Sequence, residues 1–233
     1  MRMKGLLYHA ACPVCGHRLD KNEYCLCTRC RLEAPLTGLW LRHLNPMRSR
    51  LTGLLPVEHA SALFWYGRST RWNGVVHDFK YRHRWLEARR AGEWFGAMLD
   101  EGGLCRSAEV VVPVPLHWLR QVGRYYNQCD FIADGIARRL GLRVERNNVV
   151  RNVYRISQTA TSSRYERLRN AQDLFVVRHP ERLRGRHVLL VDDVFTTGST
   201  IMDCADAILR ATGGDVRFSI ATIAATPLGL KPF

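Results

Sequence analysis

Apolar positions along this chain change period several times, and each change marks an element. Val188-Leu-Leu-Val191 is a continuous apolar run closed by Asp192-Asp193, the pattern of a strand buried on both faces of a parallel sheet. From Ile201 the period becomes helical, with Ile201, Ala205, Ile208 and Leu209 on one face. Thr196, Thr197, Gly198, Ser199 and Thr200 lie between as a small, hydroxyl-rich turn, with Ser199 or Thr200 as the expected N-cap. Gly213-Gly214 stops that helix, and Val216 to Ala224 reads as the last strand.

Upstream, Ala60 to Gly67 reads as a strand ending at a Gly, and Trp72 to Tyr81 as a helix with a basic aromatic end. Glu87 to Leu99 is a second helix, with Ala91, Phe95 and Met98 on one face. Glu109 to Pro115 is a buried strand with a rigid exit, followed by an amphipathic helix running to Leu140 and by a strand over Arg143 to Arg151. These elements predict an α/β fold: a mostly parallel sheet flanked by helices.

Two stretches lack a periodic apolar face. Residues 35–58 carry Pro35, Gly38, Pro46, Gly53 and Pro56 and read as a linker with one short helix near Leu39 to Leu44. Its apolar patches, Leu39-Trp40-Leu41 and Leu54-Leu55, are expected to pack on the following domain. Asn152 to Gln172 holds Arg155, Gln158, Arg164, Arg167, Arg169 and Asn170 among Ser and Thr. Such a basic stretch suits a mobile loop over an anionic site, and Asn170 to Phe175 would return it to the sheet.

Residues 1–34 differ in kind. Cys12-Pro-Val-Cys15 is followed, after eleven intervening residues, by Cys27-Thr-Arg-Cys30. Each pair can turn two thiolates onto one ion, and four thiolates make a closed tetrahedral site of the structural zinc type. So short a segment buries too little to fold unaided, and metal binding would drive its folding. Cys25 is an alternative ligand, and an iron–sulfur cluster or a redox pair is an alternative chemistry. The division expected is a Cys module at 1–34, a linker at 35–58 and a larger α/β domain at 59–233.

The 188–200 stretch carries the chemistry. A strand, an acidic pair, a Thr/Gly turn and a helix place a site at the carboxyl end of a parallel sheet. The turn offers amides, hydroxyls and a helix dipole to a phosphate. Asp192 and Asp193 stand too early to touch that phosphate without repulsion and suit neutral hydroxyls or a metal-bound group beside it. A sugar phosphate fits this division. An apolar run closed by Asp-Asp also describes a Walker B strand, but that reading needs a Gly-Lys phosphate loop and the chain has no Gly-Lys pair. A receiver-type acidic pocket would want its acidic pair early and a lone Asp on a later strand, which the sequence does not offer.

Composition narrows the setting. The 233 residues are 46% hydrophobic with a net charge of +14, ordinary for a globular chain but strongly basic. No apolar run is long enough to span a bilayer. The amino terminus briefly imitates a lipoprotein signal, but its apolar region is too short and His9 stands three residues before Cys12. A cytoplasmic protein is expected, and five cysteines between Cys12 and Cys30 then argue for metal rather than disulfides. Thirteen Arg lie between Arg138 and Arg186 against only Glu145, Glu166, Asp173 and Glu181. That surplus attracts polyanions, either nucleic acid or phosphorylated small molecules; Arg-richness also follows from a GC-rich genome.

Val188 to Thr200 resembles, along its full length, the phosphoribosyl pyrophosphate (PRPP) motif of type I phosphoribosyltransferases. The resemblance implies that Asp192 and Asp193 hold the ribose 2′- and 3′-hydroxyls and that Thr196, Thr197, Gly198, Ser199 and Thr200 cradle the 5-phosphate. Lys80, Arg120, Arg124, Asn127, Gln128, Arg155 and Arg164 are then candidates for the pyrophosphate, being amide or cationic donors without a carboxylate among them. With the Cys module, Pro113-Val-Pro115, Arg124-Tyr-Tyr-Asn127-Gln128 and Arg155…Phe175, nearly the whole chain resembles the ComF family, phosphoribosyltransferase-like proteins of DNA uptake and utilisation. Tyr125 and Tyr126 stand where that family often has Gly-Phe, which removes a residue tolerant of positive φ.

Two functions follow from the resemblance. In one, the chain is a phosphoribosyltransferase, of DNA uptake and utilisation or of nucleotide salvage, that displaces pyrophosphate from Mg²⁺-bound PRPP, with no readable signature for the acceptor. In the other, it senses PRPP or a nucleotide without turnover and engages single-stranded DNA or a DNA-uptake helicase through its Arg-rich, aromatic surface.

Overall fold

The computed structural model describes residues 11–21, 23, 25–67, 71–72, 74–75, 84–116, 126–151 and 174–227. Its strands are β1 (Val57–Trp65), β2 (Val110–Pro113), β3 (Arg143–Val144), β4 (Val149–Arg151), β5 (Phe175–Val177), β6 (Arg186–Phe195) and β7 (Val216–Ala225). Its α-helices are α1 (Thr28–Leu32), α2 (Pro46–Leu51), α3 (Trp85–Gly102), α4 (Gln128–Leu140) and α5 (Ser199–Thr212). Five strands form one parallel sheet in the order β1-β7-β6-β2-β3. The parallel sheet flanked by helices is the one the alternation of periods predicts.

β6 is central, and its apolar run follows from burial on both faces. Leu189 and Val191 pack with Val111, Ile132, Ile136 and Phe95, under α3 and α4. Val188 and Leu190 point the other way, to Ile201, Ala205 and Ile208 of α5. The Ile201/Ala205/Ile208 stripe is therefore core, as its helical spacing requires. α3 and α4 touch backbone to backbone. A Cβ on Gly92 would stand 2.3 Å from the Ile132 carbonyl oxygen, and one on Gly135 2.1 Å from that of Arg89. Only glycine allows helices this close.

Three expectations change. Residues 35–58, expected as a linker, form a 3-10 turn (Leu39–Leu41) and α2, with Leu39, Met47 and Leu51 fully buried against the sheet. Asn45 explains the entry: its Oδ1 caps α2 by accepting from Arg48 N at 2.9 Å, and its Nδ2 donates to Ala60 O at 3.0 Å. Leu41 and Leu54 of the two apolar patches stay exposed, whereas Trp40 and Leu55 are buried.

The single strand expected over Arg143–Arg151 is two. Asn147 takes a positive φ of 59°, which Asn tolerates better than most residues, and turns the chain out of the sheet. Asn148 then fixes the new direction by accepting from His179 N at 2.8 Å and donating to His179 O at 3.1 Å. β5, expected to rejoin the sheet, instead pairs antiparallel with β4 in a separate ribbon. Of the helix expected over 72–81, only Trp72, Gly74 and Val75 belong to the described residues. The Asn152–Gln172 loop lies outside them.

Candidate functional site

The sheet's connections create a crevice. From β2 the chain crosses by α4 to β3, on the face holding α3. From β6 it crosses by α5 to β7, on the opposite face. The β2/β6 boundary is thus a topological switch point, and ligands of such sheets bind outside the carboxyl ends of the strands there. β2 pairs with β6 only as far as Pro113↔Val191, with Val114 N donating to Val191 O at 2.8 Å. Asp192 and Asp193 come next, beyond the last rung on that side. On the other side β6 stays paired with β7 through Phe195↔Ala225, so the strand runs two residues past the acids, where the sequence suggested it would stop.

The first turn of α4 fills the gap. Gln128 Nε2 donates to Asp193 Oδ2 at 2.6 Å. Asp192 Oδ1 accepts from Asp193 N at 2.8 Å and from the Cys129 thiol at 3.5 Å. Burial first, and then the Asp192 charge, push the Cys129 thiol well above its ordinary range, so it stays protonated and able to donate. Asn127 caps α4 by accepting from Cys129 N at 3.2 Å, and its Nδ2 donates to Val114 O at 3.2 Å. This ties the helix start to the exit of β2. Asn127 and Gln128, expected as pyrophosphate donors, thus bond to protein groups in this structure. Asn before an amphipathic helix carried a readable capping signal; nothing local pointed to Cys129 beside Asp192.

The turn after β6 is open to solvent at Thr196, Thr197 and Ser199, with Gly198 buried beneath. The N-cap is Gly198, not Ser199 or Thr200. It takes φ +83°, and an added Cβ would lie 2.8 Å from the Phe195 ring. The turn requires a left-handed residue without a side chain at that place, which moves the helix start one residue on. Ser199 becomes the first helical residue, and the Thr197 hydroxyl lies 3.2 Å from its hydroxyl. Amides of the first helical turn have no intrahelical acceptor, and here they open on a small recess lined by Asp192, Val194, Thr196, Gly198, Ser199, Thr200 and Ile201. The acidic pair and the hydroxyl-rich turn at the start of α5 thus stand side by side. Lys80, Arg120, Arg124, Arg155 and Arg164 lie outside the described residues.

A second centre forms near the amino terminus. The Sγ atoms of Cys12, Cys15, Cys27 and Cys30 all lie within 4.8 Å of one another. Cys25 is outside this group and buried, and burial pushes its thiol up to about 12. The two knuckles have different backbones. In the first, Gly16 N donates to Cys12 O at 2.8 Å and Cys12 N to His17 O at 2.7 Å. In the second, Cys27 caps α1, its sulfur accepting from Cys30 N at 3.5 Å. The His17 backbone amide, first among several causes, lowers Cys15 to about 7, whereas burial raises Cys30. Thiolates this crowded repel, and a divalent cation lets them ionise together. The donor set fits a metal ion such as zinc. All eight cysteines are free thiols.

The Arg surplus is partly absorbed by the fold. Arg143 and Arg182 flank buried Glu145 at 3.1 and 3.4 Å, Arg186 pairs with Glu109 at 2.6 Å, and Arg146 pairs with Asp134. A cleft of about 460 Å³ lies between the Cys module and the helices α3 and α4, lined by Arg31, Arg90, Arg138, Arg139, Glu23, Glu93 and Trp94 among others, and Glu93 pairs there with Arg90 at 2.9 Å and Arg138 at 3.9 Å. Arg31 stacks over the Trp94 ring at 4.8 Å. No helix among the described residues is long and apolar enough to cross a membrane.

Comparison with known proteins places these features in a lineage. No protein-family model matches the chain. The chain is 36% identical over 214 residues to DNA utilization protein YhgH of Escherichia coli K12, covering 85% of this chain and 84% of that one. It is 35% identical over 219 residues to the same protein of Salmonella typhimurium, covering 90% and 88%. Competence protein F of Haemophilus influenzae is 32% identical over 145 residues, 60% of this chain and 62% of that one. Among solved structures, the glutamine PRPP amidotransferase from B. subtilis overlaps 62% of this chain and 30% of its own, with a TM-score of 0.43 and 18% identity. The identity and coverage shared with the YhgH proteins establish that the chain belongs to the ComF family, that of DNA utilization protein YhgH and competence protein F.

Proposed function

We propose that the chain binds PRPP at the carboxyl end of β6 and is a phosphoribosyltransferase-like protein of DNA uptake and utilisation. One observation carries the reading: an acidic pair and a hydroxyl-rich turn opening a helix adjoin at the switch point of a parallel sheet. Asp192 and Asp193 accept from the ribose hydroxyls. Thr196 to Thr200 receive the 5-phosphate on amides, hydroxyls and the α5 dipole. Lys80, Arg120, Arg124, Arg155 and Arg164 are the proposed cationic partners of the pyrophosphate. Mg²⁺ bound with PRPP would neutralise the leaving pyrophosphate. In a transfer reaction Asp192 and Asp193 would orient the ribose and offset positive charge developing at C1. The Cys12, Cys15, Cys27 and Cys30 group holds structural zinc in this reading, in a reducing cytoplasmic compartment.

A second reading is favoured by the cleft beside Trp94, where Arg31 and Arg139 stand beside the Arg90–Glu93–Arg138 cluster. There the pocket senses PRPP or a nucleotide without turnover, while the basic surface tracks single-stranded DNA, or docks a DNA-uptake helicase. The names of the relatives, DNA utilization protein and competence protein, suit either reading. Calorimetric titration with Mg-PRPP, followed by assay of pyrophosphate release across nucleobases, separates them. Turnover supports the first reading, binding without product supports the second, and no binding overturns both.

A further inference from the structure

Gln128 is 1% exposed and begins α4 at the gap between β2 and β6. Among the described residues its amide is used on one side only. Nε2 donates to Asp193 Oδ2 at 2.6 Å, while Oε1 is buried with no hydrogen-bond partner among the described residues. Chemistry fixes the orientation of the amide: a carboxylate takes the NH₂ side, and reversing it would set two acceptors against each other. A buried acceptor without a donor is destabilising, and an apolar side chain of the same shape would avoid that penalty. Among the described residues, the unmet Oε1 thus offsets part of what the bond to Asp193 contributes to stability. What it alone supplies is a neutral donor that holds Asp193 without cancelling its charge; Lys or Arg there would do both.

We propose that Gln128 is a positioning residue, and that its hydrogen bond holds the Asp193 carboxylate in the orientation that reads ribose hydroxyls. The proposal rests on the sugar-phosphate reading above. Rigid attachment makes the device effective, because Asn127 ties the same helical turn to Val114 at the end of β2. With this bond lost the carboxylate would populate other rotamers more often, and the hydroxyl contact would be weakened by the fraction of time spent in them.

The test uses the full chain, with ribose 5-phosphate and its 2-deoxy and 3-deoxy forms as calorimetric probes. Wild type is expected to prefer ribose 5-phosphate over at least one deoxy form by roughly ten- to a hundredfold, the range for a hydrogen bond to a charged group. In Gln128→Met that preference should shrink toward unity while the thermal midpoint stays level or rises. In Gln128→Glu the preference should be lost at neutral pH and return as the medium is acidified, since only the protonated acid can donate to Asp193. Gln128→Met should add nothing in an Asp193→Ala background, because the residue acts through Asp193. A preference unchanged in Gln128→Met overturns the proposal, as does a loss accompanied by a lower thermal midpoint, which marks a merely structural residue. If wild type fails to bind ribose 5-phosphate at all, the sugar-phosphate reading falls and this assignment with it.

Discussion

Replacing both strand-end acids, Asp192→Asn with Asp193→Asn, isolates charge from shape. Each carboxylate already serves the protein as an acceptor: Asp192 for Asp193 N and the Cys129 thiol, Asp193 for Gln128. Asn keeps one carbonyl oxygen in each place, so these internal bonds survive in outline. What disappears is the charge on the hydrogen bonds to ligand hydroxyls, worth roughly 1.5–3 kcal/mol apiece. Adjacent residues are not additive, and about 3 kcal/mol is the expected loss for the pair, or some 150-fold in PRPP affinity. Folding stability should hold steady or rise slightly, because two neighbouring carboxylates repel in the unliganded protein. The assay is calorimetric titration with PRPP at saturating Mg²⁺, beside thermal unfolding of both proteins. Thr197→Val is the internal comparison. It removes one hydroxyl and leaves the turn amides, so about 1 kcal/mol is expected. Equal PRPP affinity in wild type and the double variant refutes the assignment of this strand end as a hydroxyl-reading site.

Gly198→Ala places a methyl against the Phe195 ring and strains φ +83°; a loss of roughly 1–2 kcal/mol for the backbone alone should lower the melting temperature, and an unchanged midpoint would count against the turn geometry. Elemental analysis should find one zinc per chain in protein purified without chelator, retained in Cys25→Ser and lost in Cys27→Ser, since only Cys27 of the two belongs to the thiol group; the reverse pattern would reassign the ligand. Burial of His59, whose two ring nitrogens have no hydrogen-bond partner among the described residues, lowers its pKa from 6.5 to about 4. Below about pH 6.5 the unfolded chain takes up a proton that the folded one refuses, so stability is present above that pH and falls by about 3 kcal/mol toward pH 4. His59→Leu should flatten that part of the stability–pH curve, and parallel curves for the two proteins would show that His59 does not titrate there.

The parts of this protein legible in its sequence are those whose cause is local. β6 and α5 could be read because a switch from a continuous apolar run to a 3.6-residue period is written within two dozen residues, and the acids and hydroxyls stand between the two patterns. The Cys pairs could be read because each knuckle is a short turn with its ligands three residues apart. Tertiary structure alone decided the rest, for reasons of distance along the chain. Residues 35–58 look like a linker by their Pro and Gly, yet Asn45 finds Ala60 O and Met47 finds the sheet; burial depends on the surface waiting for them. The Arg-rich half looks uniformly basic, yet Glu145 and Glu109 neutralise parts of it from other elements. Gln128 and Asp193 are 65 residues apart. No periodicity connects them, and they meet only because β2 leaves the sheet one rung before Asp192 and the start of α4 enters the space it vacates.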